Sequence, residues 1–521
     1  MRLAFAPSQF RRLAVVRSTP TRAFAIAVAC ASLVGNVLAA DRDWLRVDTP
    51  YSTVYAQTTE RDTLRWMREF ELFRRTLNGL LPVPDERLPH VTVLLFRNQR
   101  EFDPYKPLEN GAPAKIAGLF SRAPGRNLIA VSSDGRRDSS RLRLYHEATH
   151  WYMSGFNRRL PLWLEEGLAE VFSSFSYSGE VAVLGTERGW ARRSLIGSGL
   201  MPFTELSRIR GDELEFNNFR GNVQQVYHQS WLAAHELLLG GPHPGGRLLM
   251  LQIYLAQPPL SPDPSADLLV FLQRTVPEMD AAWADHLSAK TVQMFRLPID
   301  RTDIGKSWAV TRATMHEMQL TLAAQLLATG QLDAARARLG ALVTADAGDG
   351  PAWSLLGEVE LAADRLPQAM AAWDVAASVG DTSLWTNWNK SARAIDRIET
   401  DFGFAVSPAA SADALAPVLE VLRREPQFRP GYNLLSHASL RGFPLSAEAA
   451  DVLAAGLPRY PDSVEIQLGI AHLRRSQGCI AEARLLAQRV IDQAEPPQAV
   501  LVANARQLLS ALGNIPSEAV P

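Results

Sequence analysis

Two histidines four positions apart, with a glutamate directly after the first, give His146-Glu147-Ala148-Thr149-His150 the strongest chemical signature in this chain. In a helix, positions i and i+4 lie almost above one another, so His146 and His150 project imidazoles from one face and can share a metal ion at about 2.0–2.1 Å each. Glu147 is turned roughly 100° about the axis, beside the ion, where a carboxylate can accept a proton from metal-bound water. With 10 histidines in 521 residues, an accidental HExxH arises in about one chain in a hundred of this composition, so the motif needs support from elsewhere. His235-Glu236 and His316-Glu317 show what chance supplies: Leu239 and Leu320 stand where a second histidine is required.

The support lies downstream, in Leu160-Pro161-Leu162-Trp163-Leu164-Glu165-Glu166-Gly167-Leu168-Ala169-Glu170. A tetrahedral catalytic zinc needs a third protein ligand and an open fourth position. Here the sequence resembles the gluzincin clan of zinc metallopeptidases, in which HExxH is followed by a Trp-Leu-x-Glu-Gly segment whose glutamate is the third ligand. The wording is especially similar to the small bacterial peptidase MA-like group. By that resemblance Glu166 completes a zinc site with His146 and His150, and the substrate is a polypeptide. Glu165 points to another side of the helix, towards solvent. Glu170 lies one turn beyond Glu166 on the same face and is placed to accept the free ring N–H of a ligand histidine. The resemblance also implies an oxyanion-stabilising group on a later helix. In Val226-Tyr227-His228-Gln229-Ser230-Trp231, Tyr227 is the candidate and His228 the reserve. The 15 residues between His150 and Glu166 are fewer than in the thermolysin and aminopeptidase branches, which implies a compact turn between the two site helices.

The resemblance implies a zinc-dependent endopeptidase in which Glu147 takes a proton from the attacking water and returns it to the leaving amine. Two other readings stay open. One is an assembly or chaperone-like scaffold with a vestigial or structural metal site, and the other is hydrolysis of something other than a peptide.

The surrounding elements follow from periodicity. Trp44 to Asp48 and Thr53 to Ala56 alternate around Thr49-Pro50-Tyr51-Ser52 and predict a hairpin. Leu64, Met67, Phe70, Phe73 and Leu77 keep helical spacing over Glu60 to Leu80, and Pro82 and Pro84 end that helix. His90 to Phe96 and Leu128 to Ser132 read as buried strands. Together these predict an α+β, zincin-like catalytic domain over 41–299, with 300–315 as linker.

From residue 316 to 515 the chain becomes Ala- and Leu-rich with a fixed period. Ala335 and Ala369 are 34 positions apart, and so are Ala449 and Ala483. Around Ala369 the pattern is similar to a tetratricopeptide repeat, with Trp353, Leu356 and Gly357 on a first helix and Trp373 and Ala376 on a second. Small residues there let antiparallel helices cross closely. About four or five repeats are expected, irregular near 381–408, and they offer a surface for a protein partner or for substrate presentation.

Composition narrows the rest. The chain is 47% hydrophobic and 21% charged with a formal net charge of -1, so no basic field draws it to nucleic acid or an anionic membrane. Five arginines between Arg2 and Arg22 precede an uncharged apolar run from Ala23 to Ala39, the layout of a signal peptide over 1–40 with cleavage before Asp41. The expected location is therefore outside the cytoplasm, in the periplasm, with no membrane contact beyond that segment. Of two cysteines, Cys30 lies in this segment, leaving Cys479 alone and unable to form an internal disulfide. It is expected to be a small buried residue of a helix.

Overall fold

Alternation and turn chemistry near the N-terminal end give β1 (Leu45–Asp48) and β2 (Ser52–Ala56), an antiparallel hairpin closed by the Thr49 hydroxyl, which accepts from Ser52 N at 2.9 Å. This computed structural model describes residues 44–513 except 85–86, 134–136, 157, 210–221, 242–243, 258–260, 262, 291, 403–405, 462 and 495–497. The signal segment expected over 1–40 lies outside the described residues. Among the described residues no helix is long and apolar enough to cross a membrane. The contacts divide the chain into two compact units, with the boundary after Met318.

In the first unit, α1 (Glu60–Leu80) starts at Thr59, whose hydroxyl accepts from Asp62 N at 3.2 Å, and carries Glu60 and Asp62 in its first turn, where a helix favours negative charge. It buries Met67, Phe70, Phe73 and Leu77 as its spacing predicts, with Trp66 buried and Leu64 half-buried. The helix is a crossover: β2 and β3 (Val91–Phe96) run parallel, and a parallel pair requires such a connection. After a two-residue ribbon at 108–113 come β4 (Gly118–Ala123) and β5 (Arg126–Ser132), joined as a hairpin. The long helix α2 (Arg137–Met153) follows, then α3 (Leu162–Phe172), a small hairpin β6 (Ser176–Ser178) and β7 (Val181–Leu184), and α4 (Gly189–Ser198). The helices α5 (Val223–Leu239), α6 (Pro244–Ala256), α7 (Pro264–Leu272) and α8 (Val276–Ser288) complete the helical part.

The main sheet has the order β9-β1-β2-β3-β5-β4, with the three central strands β2, β3 and β5 parallel; β9 (Val310–Arg312) is the last strand of the unit. This is an N-terminal α/β region. One sheet face, through Val54, Val93, Leu95 and Val131, meets Trp66, Met67 and Phe70 of α1 and Leu144 of α2 in one continuous core. The two helices lie side by side, Phe70 stacking on Trp151 at 5.5 Å and Phe73 meeting Tyr145 at 4.7 Å.

The segment read as linker, 300–315, departs from expectation. Val310, Thr311 and Arg312 pair antiparallel with Val47, Arg46 and Leu45. Before it, β8 (Phe295–Pro298) pairs with β7, so both stretches belong to the first unit. A three-residue strand bears too little alternation to stand out in sequence, and its partner is far away in the chain.

The second unit is all-helical among its described residues and begins within the first of its helices, whose first turn belongs to the first unit. Helices α9 (Met315–Ala328) and α10 (Leu332–Ala345), α11 (Gly350–Ala362) and α12 (Leu366–Ser378), α13 (Leu384–Phe402) and α14 (Pro408–Arg424), α15 (Arg429–Leu440) and α16 (Ala447–Ala454), and α17 (Val464–Ser476) and α18 (Ile480–Gln493) form successive pairs, followed by α19 (Ala499–Gly513). First helices start at 315, 350 and 384, then at 429, 464 and 499, so a period near 35 is interrupted once, where α13 and α14 lengthen across 384–424. The four periodic alanines, Ala335, Ala369, Ala449 and Ala483, are all buried, as close helix contacts demand. Trp373 lies against Gly357 and donates its indole N–H to Ser354 O at 3.0 Å, while its ring stacks on Trp385 at 5.2 Å. Cys479 differs from expectation: it is exposed, because it caps α18 at the tight turn made by Gly478, whose φ is +79°.

Two glycines in these helices make opposite predictions. A Cβ on Gly357 would stand 2.3 Å from Trp373 Nε1, whereas one on Gly340 would meet nothing within 4 Å. Gly357→Ala should therefore lose about 1–3 kcal/mol by overpacking, and Gly340→Ala should gain about 0.5–1 kcal/mol from helix propensity. Chemical denaturation of the two variants reads both signs.

Candidate metal centre

Three helices and one edge strand place the candidate residues. The α2 helix carries His146, Glu147 and His150, and its C-terminal half is fixed by Trp151 Nε1 donating to Pro89 O at 2.7 Å and by the Tyr152 hydroxyl donating to Leu81 O at 2.9 Å. After a short connection, α3 carries Glu166 and Glu170. That connection is held by Arg158, whose buried guanidinium bonds Asp267, Tyr254 O and Gln257 O and lies 3.7 Å from the Tyr254 ring centre. Helix α5 crosses α3 at Gly167, where a Cβ would fall 2.2 Å from Ser230 O. The glycine beside Glu166 thus lets α5, with Tyr227, approach the two site helices.

The donor atoms converge. His146 Nε2 and His150 Nε2 are 3.2 Å apart, and each is 3.5 Å from Glu166 Oε2. Donors about 2.0–2.1 Å from one ion at tetrahedral angles are separated by about 3.3–3.4 Å, so the triangle has the size of one face of a zinc coordination shell. Glu166 Oε2 is buried without a hydrogen-bond partner, a costly state for a carboxylate oxygen unless a cation takes that place. Among the described residues this trio is the one group of His, Cys, Asp or Glu side chains close enough to hold a metal ion. The residues fit zinc by donor type, number and spacing.

The remaining candidates surround the trio. Glu147 Oε2 accepts from the edge-strand amide of Phe120 at 2.8 Å, which fixes the carboxylate beside the donors. Glu170 Oε1 lies 3.2 Å from His146 Nδ1, the nitrogen turned away from the donor triangle. The Tyr227 ring centre is 6.5 Å from that of His146. The charge of Glu166, then burial, push its phenol pKa upward, so the hydroxyl keeps its proton and can donate. His228 faces elsewhere: its ring packs edge-on to Trp190 at 4.7 Å, neither nitrogen has a hydrogen-bond partner, and burial lowers its pKa, leaving it neutral. Glu165 is half-buried rather than fully solvated.

Sequence reasoning missed Arg188. Its Nη1 is 2.5 Å from Glu170 Oε2 and its other terminal nitrogen bonds Ser173 Oγ. No motif marks an arginine in the turn before α4, and only the folded contact reveals it.

Charge in the cluster is tightly balanced. Burial would lower the pKa of His146, but Glu166 and Glu170 outweigh it and push it up to about 10. His150 is raised by Glu166 against the same burial. Burial would raise both Glu166 and Glu170, yet the two imidazoles hold Glu166 far below the usual carboxylate range, and His146, then Arg188, bring Glu170 down.

No family model matches the chain, and no curated protein matches it. Among solved structures it is similar to a thermophilic TPR protein of Thermus thermophilus, at 21% identity over 37% of this chain and 97% of that one, with a TM-score of 0.24. At that score the likeness adds nothing to the helix spacing itself.

Since His146 must give up a proton to bind a metal ion through Nε2, zinc uptake near neutral pH should release a proton and its affinity should fall as pH falls. Calorimetric binding enthalpies in two buffers of different ionisation enthalpy should then differ. Equal enthalpies would mean an imidazole that is already neutral.

Proposed function

We propose that the chain is an exported zinc metallopeptidase of the gluzincin kind, acting on polypeptides, whose helical repeats bind a partner or present substrate. The observation that carries this reading is the set of three donor atoms 3.2–3.5 Å apart, from His146, His150 and Glu166, around a buried carboxylate oxygen with no hydrogen-bond partner. Export is supported by the arginine-rich start and the apolar run 23–39. The repeat role is supported by the regular helix starts of the second unit.

His146, His150 and Glu166 would hold the ion. When bound there, zinc supplies a Lewis acid that lowers the pKa of a coordinated water to about 7 and polarises a carbonyl. Glu147, fixed by the Phe120 amide, accepts the proton of the attacking water and delivers it to the leaving amine. Tyr227 donates its phenolic proton in a hydrogen bond to the oxygen on which charge develops. Glu170 accepts from His146 Nδ1, which keeps Nε2 of that ring free as a donor to the ion.

Metal analysis of the chain from Asp41 onward should find about one zinc per chain, lost in His150→Ala and in Glu166→Ala. Glu147→Gln should keep the zinc and lose about 10²–10⁴-fold in the rate of casein cleavage, and Tyr227→Phe should lose about 10²–10³-fold in kcat with the metal retained. A parent protein that binds no zinc after reconstitution would sink the reading. Retained zinc with cleavage unchanged in Glu147→Gln would refute the role given to that residue.

A further inference from the structure

We propose that Arg188 is a positioning residue of the metal centre: it holds the Glu170 carboxylate in the orientation in which Glu170 presents the Nε2 donor of His146 to the ion, an inference that rests on the zinc reading above. The carboxylate of Glu170 is divided between two partners. Oε1 lies 3.2 Å from His146 Nδ1, and Oε2 lies 2.5 Å from Arg188 Nη1, with both side chains largely buried. A histidine that ligates through Nε2 must keep its proton on Nδ1, which requires an acceptor there. A ligating imidazole is neutral, so it leaves the buried Glu170 carboxylate without a counter-charge of its own, and a buried carboxylate without a cation is costly. Arg188 supplies that cation at contact distance.

The arginine is itself held from several sides. Its other terminal nitrogen bonds Ser173 Oγ, and Ser173 in turn donates to Glu170 O at 2.9 Å, so the guanidinium is braced against the same helix turn that carries Glu170. Its guanidinium carbon lies 5.7 Å from the Trp190 ring centre. The turn leading to it is pinned to the segment just after α3 and to α5: Gly185 N and Thr186 N donate to Ser174 Oγ at 2.8 and 3.2 Å, and Gly185 O is 2.9 Å from His235 Nε2. Gly185 has φ +75°, a conformation that favours glycine, and a Cβ there would stand 2.5 Å from Leu239 Cδ1 of α5. A chain of fixed contacts thus runs from the β7–α4 turn through Arg188 and Glu170 to His146.

The test compares the full chain with Arg188→Met, Arg188→Lys, Glu170→Gln and the double variant Arg188→Met/Glu170→Gln. Zinc affinity is read by competition with a chromophoric chelator, and the melting temperature of each metal-free protein is read alongside. Arg188→Met should weaken zinc about 10–100-fold with a metal-free melting temperature close to the parent's, and Arg188→Lys should recover most of that loss. The double variant should be no weaker than Glu170→Gln alone, because Arg188 acts through Glu170. A parent that binds zinc while Arg188→Met binds it equally well overturns the proposal and leaves the zinc site standing. Additive losses in the double variant, or a loss in Arg188→Met matched by a collapse of the metal-free protein that Arg188→Lys does not rescue, would also overturn it. A parent that binds no zinc overturns the zinc reading and this inference with it.

Discussion

The constraint on which the rest of the first unit turns is a buried carboxylate oxygen, Glu166 Oε2, facing two imidazole nitrogens at 3.5 Å without a hydrogen bond to satisfy it. Such an arrangement is unfavourable in a protein interior unless a cation occupies the gap, and much of the surrounding packing serves to keep it in place. The Tyr152 hydroxyl and Trp151 indole fasten the histidine helix to the α1–β3 connection. Arg158 fastens the return to the glutamate helix, and Gly167 admits the third helix to contact. Each brace is an ordinary element of fold stability, and together they hold three lone pairs within a few ångströms of one another.

The same logic repeats around the trio. The base candidate Glu147 is held by a main-chain amide of the edge strand, and Glu170 is held by Arg188. Around the trio, Glu147 and Glu170 are each gripped by a partner, while His228 sits further out. His228, with neither ring nitrogen partnered, packs on a tryptophan instead.

What was legible in the sequence was local. The i, i+4 histidines lie on one helix, so their convergence follows from helix geometry alone, and the period of 34 places Ala335, Ala369, Ala449 and Ala483 at buried contacts because each helix pair repeats its neighbour. Contacts across the chain left little trace. Arg188 meets Glu170 through a turn with no distinctive residues, and Val310 to Arg312 form a strand too short to show alternation. Cys479 misled for a different reason: its composition fits a helix interior, but the neighbouring Gly478 turns the chain so that Cys479 becomes an exposed cap. That Tyr227 lies beside His146 while His228 packs on Trp190 depends on the rotation of α5, which its neighbours set and the sequence does not show.

The pairing of β9 with β1 bears on how the protein is born. Thr311 bonds back to Arg46 across 265 positions, so β1, the first strand among the described residues, must wait for nearly the whole unit before its outer edge is covered. Until then β1 offers an open row of amides and carbonyls, the kind of edge at which nascent chains associate wrongly. Completion of the sheet is therefore a late event in synthesis. The unit would close around its first strand only after the last one had emerged, and a product ending at residue 299 would leave that edge bare.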